Sequence, residues 1–393
     1  MNKRIGIISF SPVARDARVL RQIRYLGLGY DLVVIGFGDG HPTWPGSPGV
    51  TWLPVAPADK NLKSRLGGVI YPLLGKLTSR AYDAWFWRKP HRRAALELAV
   101  AHSCDAYHAN DWDALPIAAE AAARYGVPLV FDAHEYAPLE FGQRRLWRFL
   151  YTPAITHTLH KYGRRIAAAT TVAQPIADRY RREFGWEMQT VLNAPEQQSV
   201  LSHDLDAERI RLIHHGGAIR GRRLERMIEV VGLTSSRYTL HFMLTPNQPD
   251  YLAFLRAFAE QTAPGRVTFH DPVRPEQVVQ EIARYDAGFY LLEPDNYNNA
   301  SALPNKLFDF INAGLAVCIG PSPEMARLVR AHGCGAVAPS FAPAAVAAML
   351  DALTPADFDR MRANSLKAGE TLNAQVEMGK LYALYDRLLG QAA

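Results

Sequence analysis

The chemistry-bearing residues of this chain stand at the ends of short apolar runs. After VPLVFD comes Asp132-Ala133-His134-Glu135, an imidazole flanked by carboxylates that can orient a hydroxyl or exchange a proton with it. The run DAYHAN ends in Asn110, Asp111 and Asp113. There the simpler expectation is a helix N-cap, because an aspartate side chain accepts the orphan amides of a first turn. His214-His215-Gly216-Gly217 closes another run and leads through Ala218 to Arg223. It offers glycines for close backbone approach, and Arg220, Arg222 and Arg223 as cations for an anion. The segment is no P-loop, since the G-K-[ST] ending is missing. The sharpest signal is ALPNKLFDF over residues 302–310, followed by AGLAV. Pro304 is expected as the first residue of a helix, whose free amides and positive dipole end make a phosphate site together with Lys306. Asp309, about one turn further on, can accept hydrogen bonds from paired hydroxyls such as a ribose diol. Gly314 then ends the helix before a buried strand.

Two series of strands and helices must position these residues. The first opens with IGIISF, a helical stripe over Val13 to Leu26 and DLVVIGF, and continues through VTWLPV, DAYHAN, VPLVFDA, AATTVA and MQTVLNA. The second runs RLIHHGG, YTLHFML, RVTFHD, AGFYLLE, LAVCIG and GAVAP, with helices over Arg222 to Val231 and Pro304 to Ala313 between them. Continuous apolar strands separated by helices predict parallel sheets covered on both faces. The expected class is therefore α/β, with two Rossmann-like doubly wound domains: 1–194, a polar linker at 195–208 (within NAPEQQSVLSHDLDA) and 209–372. A last helix over 373–393 is expected to return to the first domain. Open parallel sheets bind ligands beyond the carboxyl ends of their strands, so an interdomain cleft is the expected place for chemistry.

Composition narrows the function. A chain of 393 residues with 48% hydrophobic and 21% charged content needs two cores and is too apolar for disorder. Cys104, Cys318 and Cys334 are widely spaced, with no CxxC and no His pair at ligand spacing, which fits a reducing, cytoplasmic compartment, buried thiols and no structural metal. Near the start, Arg15, Asp16 and Arg18 arrive too soon for a signal-peptide core, and the apolar stretch Leu66 to Leu77 is too short to span a bilayer. The formal charge of +6 is uneven: residues 1–200 hold 25 basic against 17 acidic side chains, and the rest 19 against 21. Residues 60–93 carry nine cations against Asp83, interleaved with Ile70, Tyr71, Leu73, Leu74, Trp85, Phe86 and Trp87, and 144–165 carries six with no acid. Basic and aromatic together predict attachment to an anionic membrane surface, hence a peripheral location; the competing expectation is a solvated face over a tryptophan-rich core. No nucleic-acid-binding module is present.

Six ordered motifs, SPVARDARVLRQIRYLGLGYDLVVIG, YHANDWDAL, PLVFDAHE, LNAPE, HHGGAIRGRRLERMIE and LPNKLFDFINAGLAV, make the chain resemble glycosyltransferase family 4 almost end to end. The resemblance implies the GT-B fold. It also implies a nucleotide-diphosphate sugar held by the C-terminal domain, UDP being favoured, an acceptor held by the N-terminal domain, and transfer with retention. The acceptor implied is a glycan or lipid-linked glycan of surface polysaccharide or glycoconjugate assembly. Asp309 matches the second acidic position of the family's paired-glutamate motif, and Ser301 stands at the first, as in a PNK-type variant. Arg222 and Lys306 match the diphosphate positions, with Gly217, Arg220, Val273 and Asn305 in the donor set. His134, with Glu135 beside it, matches the catalytic histidine position. Asp16 and Arg18 in a first loop lacking Gly-Gly, and Asn110 and Asp111, complete the candidates. No metal or cofactor is implied. The alternatives are a sugar-nucleotide epimerase of the same fold and an inactive binding or assembly subunit, for which Ser301 speaks.

Overall fold

A computed structural model describes residues 2–38, 49–57, 62–200 and 203–390, the side chains of 62–67 excepted. Lys60 and the side chains of Lys63 and Arg65 therefore lie outside the described residues. Contacts divide the chain into two units: Met1–Leu192 with Asn296–Asn298 and Met378–Ala393, and Asn193–Asp295 with Asn299–Glu377. The described part of 195–208 carries no helix or strand.

The first unit holds seven parallel strands: β1 Arg4–Pro12, β2 Asp31–Phe37, β3 Val50–Pro54, β4 Ala106–Asn110, β5 Leu129–Ala133, β6 Ile166–Thr171 and β7 Met188–Thr190, in the spatial order β3-β2-β1-β4-β5-β6-β7. Six make the second: β8 Ile210–Gly217, β9 Tyr238–Thr245, β10 Val267–His270, β11 Ala287–Tyr290, β12 Ala316–Ile319 and β13 Gly335–Val337, in the order β10-β9-β8-β11-β12-β13. Both sheets thus follow the doubly wound 3-2-1-4-5-6 order, whose reversal point lies between the first and fourth strands of each. Central strands such as β4 and β5 are buried along their whole length, as strands covered by helices on both faces must be.

Two helix starts differ from expectation. The stripe over Val13 to Leu26 begins as a short 3-10 turn, and the α-helix runs only Ala17–Leu26, because Asp16 caps it by accepting the amides of Arg18 and Val19. After the tight 3-10 turn Arg220–Arg222, Arg223 takes a left-handed conformation and the next helix waits until Glu225. The helix Ala374–Leu389 joins the first unit from Met378 onward. Its Met378, Leu381, Leu384 and Tyr385 are buried against Ile5, Ile7, Val19, Ile23, Leu32 and Val34. Each such side chain contributes roughly 1.5–3 kcal/mol of burial.

Candidate functional site

In the first unit the site is built downward from a buried ion pair. Asp132, at the carboxyl end of β5, is inaccessible to solvent and accepts from Arg18 Nε and Nη2 (2.6 Å each), Gln22 Nε2 (2.7 Å) and Thr170 Oγ1 (2.6 Å). Arg18 Nη1 donates to the Val191 carbonyl, so its guanidinium is fully committed. Of the first-loop candidates, Arg18 is thus a buried anchor of the sheet, while half-buried Asp16 caps a helix through Oδ1. Two residues beyond Asp132, His134 lies between carboxylates. Its Nδ1 is 3.0 Å from Asp111 Oδ2, its Nε2 is 3.2 Å from Asp132 Oδ2 and 3.1 Å from Asn110 Oδ1, and its backbone amide donates to Asp111 Oδ1. Asp111 has φ 63°, and the helix Leu115–Tyr125 begins without a side-chain cap. The N-cap expectation for Asp111 and Asp113 is thus overturned: Asp111 spends its carboxylate on His134.

Electrostatics follow from that geometry. Burial lowers the His134 pKa, but the charges of and hydrogen bonds to Asp111 and Asp132 outweigh it and hold the imidazolium well above its ordinary range. Asp132 is held well below the usual carboxylate range by Arg18, which outweighs the opposing effect of burial. Glu135 behaves oppositely. Burial first, then the like charges of Glu140 and Asp111, push it up to about 8. Its Oε2 accepts from Asn298 Nδ2 at 3.0 Å, and Asn298 Oδ1 accepts the Tyr136 amide at 2.9 Å. Asn298 escaped the sequence reading because 163 positions separate it from Glu135 and nothing local marks it.

A pH dependence follows. The folded state holds a proton on Glu135 that the unfolded chain releases near pH 4.5, so stability should fall as pH rises from about 4.5 to about 8. Glu135→Gln, which mimics the protonated acid, should flatten that slope in melting scans; an unchanged slope would show that Glu135 ionises normally.

In the second unit, β8 ends in His214, His215, Gly216 and Gly217, and helix Asn305–Asn312 supplies Lys306 and Asp309. Pro304 occupies the N-cap with φ −72° and ψ 150°, one position before the expected first helical residue, and no side chain caps the helix. Lys306 is buried, its Nζ 4.2 Å from the Tyr290 ring centroid and 3.5 Å from His214 Nε2. His214 Nδ1 donates to the Phe289 carbonyl, which leaves Nε2 as the acceptor turned to that ammonium. A Cβ on Gly216, whose φ is +115°, would stand 3.3 Å from Lys306 Nζ and 4.0 Å from Arg222 Nη1. The missing side chain is what lets both cations reach the strand end. Burial, and then the Arg222 charge, hold Lys306 well below the usual lysine range, against the pull of Asp309. Asp309 Oδ2 lies 3.3 Å from His215 Nε2, whose pKa burial and Lys306 lower to about 3.

The two arginine candidates separate here. Arg222 stands beside Gly216 and Lys306, whereas Arg220 lies over Tyr251 (4.9 Å) and Phe254 (5.7 Å). Gly217 packs against Asn247, a Cβ there falling 2.6 Å from Asn247 Oδ1. Asn305 opens the helix, Ser301 is buried four residues earlier with no carboxylate to offer, and Val273 is half-buried in the loop after β10. Cys104, Cys318 and Cys334 are free thiols and buried. Among the described residues no group of three or more His, Cys, Asp or Glu is placed to hold a metal ion, and no helix is long and apolar enough to cross a membrane.

Two doubly wound parallel sheets of seven and six strands, with helices packed on them, make this the GT-B fold. Among solved structures the chain is similar to HepE of Anabaena in complex with UDP-glucose, with a TM-score of 0.71 at 12% identity over 98% of this chain and 100% of that one. It is also similar to sucrose-phosphate synthase of Thermosynechococcus elongatus (0.70, 13%, 99% and 100%) and to a UDP-forming α,α-trehalose-phosphate synthase of Burkholderia vietnamiensis (0.66, 11%, 100% of each). No protein-family model matches the chain, and no curated protein matches it by sequence.

Proposed function

We propose that the chain is a retaining glycosyltransferase of the family 4 type. In this reading it moves a sugar from a nucleotide-diphosphate sugar, preferably a UDP-sugar, to a glycan or lipid-linked glycan in surface polysaccharide or glycoconjugate assembly. The observation that carries the reading is the buried Lys306 ammonium beside Arg222 at the carboxyl end of β8. A buried ammonium with a half-buried guanidinium beside it is costly, and a diphosphate relieves that cost. The UDP and UDP-glucose bound by HepE support the choice of donor.

The chemistry follows from charge. As the bond from the anomeric carbon to the diphosphate breaks, negative charge grows on the leaving oxygen, and Lys306 with Arg222 stabilises it. The acceptor hydroxyl attacks the same face and gives its proton to the departing phosphate oxygen. His134, whose ring N–H groups both donate, Nδ1 to Asp111 and Nε2 to Asp132 and Asn110, is a fixed charge and wall on the acceptor side and not the base. Asp309 takes the ribose hydroxyls. Removing that charged acceptor costs about 1.5–3 kcal/mol, so Asp309→Ala should bind UDP roughly ten- to hundred-fold more weakly by calorimetric titration. Unchanged affinity in a folded Asp309→Ala protein would remove the donor-site assignment.

A further inference from the structure

Eight of the fourteen large apolar side chains that stand exposed among the described residues belong to two short segments of the first unit. Val69, Ile70, Leu73, Leu74 and Leu77 come from the helix Leu62–Gly75 and its C-terminal turn, Leu146 and Phe149 from the start of the helix Arg145–Gly163, and Phe141 from the turn before it. Val69 with Leu73, and Ile70 with Leu74, are i,i+4 pairs, so they form adjoining ridges on one side of their helix. The two helices pack together, and Lys76 Nζ lies 2.8 Å over the Phe149 ring, which joins the apolar residues into one patch.

The surrounding charge is mostly of one sign, with half-buried Glu140 beside Phe141 the exception. Lys76, Arg80, Arg144, Arg145 and Arg148 are exposed around the patch. The one acid within 60–93 and 144–165, Asp83, is taken by Lys161 (3.0 Å) and His157 (3.2 Å). The aromatic residues that drew attention in the sequence are elsewhere: Trp85 and Phe86 are buried, Trp85 stacks on Trp112, and Arg92 is buried over the Phe86 ring. Trp85 and Phe86 thus meet the core expectation, while Trp87 and Tyr71 are half-buried. The exposed set is six aliphatic side chains with Phe141 and Phe149, rimmed by arginines and Lys76, the chemistry of a surface that rests in the headgroup layer: apolar side chains reach the acyl boundary while arginine stems snorkel to lipid phosphates.

We propose that this face, built from residues 69–80 and 141–149, docks the protein on a bilayer containing anionic lipid. The inference deepens the lipid-linked acceptor reading given above but stands on residues that the donor site does not use. It is tested by co-sedimentation with phosphatidylcholine vesicles with and without phosphatidylglycerol. The protein should bind only the anionic vesicles and release them at ~0.5 M salt, where the screening length is about 4 Å. At about fivefold per cation, Arg144→Glu/Arg145→Glu/Arg148→Glu should weaken binding at least hundredfold. Leu77→Gln/Leu146→Gln, at positions 86% and 70% exposed and hence without consequence for folding, should weaken it at least tenfold with no change of charge. Absence of binding to anionic vesicles overturns the proposal. So does binding indifferent to the leucine pair, which would be unspecific attraction of a basic surface. A third contrary result is a dimer in sedimentation velocity that Leu77→Gln/Leu146→Gln dissolves, which would make a second copy the occupant. UDP titration of the same variants reads the donor site separately, so the two proposals can fail independently.

Discussion

His134→Ala is expected to lower sugar transfer roughly 10²–10³-fold while UDP affinity stays within about twofold. The split arises because His134 belongs to the first unit, with Asp111, Asp132 and Asn110 as its partners, while Lys306, Arg222 and Asp309 belong to the second. The fold survives the change: Asp132 keeps Arg18, Gln22 and Thr170, which satisfy a buried carboxylate without the imidazole. What is lost is a positive charge fixed between two carboxylates, and with it the acceptor-side electrostatics. Steady-state transfer assays with UDP calorimetry check both halves. Turnover within a few-fold of wild type would make His134 a structural residue, and a parallel loss of UDP affinity would contradict the division of labour.

The second large effect is expected at Lys306. Lys306→Met should lower kcat by roughly 10²–10³-fold, more than it weakens donor binding, because the ammonium matters most while charge builds on the leaving diphosphate. The same change should raise the melting temperature of the ligand-free protein. Burial under Tyr290, beside His214 and Arg222, makes the charge costly, and methionine fills the volume without it. Higher stability with lost turnover is the signature of a group kept for chemistry at the expense of the fold. A variant with near-normal kcat, or one that melts lower, would contradict that account.

The strands were legible because both sheets are parallel and covered, so each reads as an unbroken apolar run such as DLVVIGF or LAVCIG bounded by polar residues. In the second unit the grouping of the candidates followed for a related reason: Gly216 ends one strand, and Pro304, Lys306 and Asp309 lie along one short helix, where spacing carries geometry. Arg220 and Arg222 could not be told apart, since the 3-10 turn that aims them differently leaves no periodic trace. The first unit hid more. Whether Asp111 caps a helix or holds His134 depends on a left-handed backbone angle. Gln22 on Asp132, Asn298 on Glu135 and Tyr385 on His108 (2.8 Å) are contacts across 110, 163 and 277 positions, beyond any local pattern.

The helix Ala374–Leu389 has a consequence for biosynthesis. The seventh strand of the first sheet is complete by Thr190, yet part of the cluster around Ile5, Ile7 and Val34, the side chains of Met378, Leu381, Leu384 and Tyr385, is translated only much later. At ribosomal speeds of about 5–20 residues per second, the intervening stretch keeps that sheet face waiting for on the order of ten seconds or more. The nascent first half therefore spends its elongation with an apolar surface available to trigger factor-like holdases or to neighbouring nascent chains. The second unit, whose residues are all made by Glu377, can close its core before the first unit does. The first unit's core is thus completed last, although its seven strands are translated first.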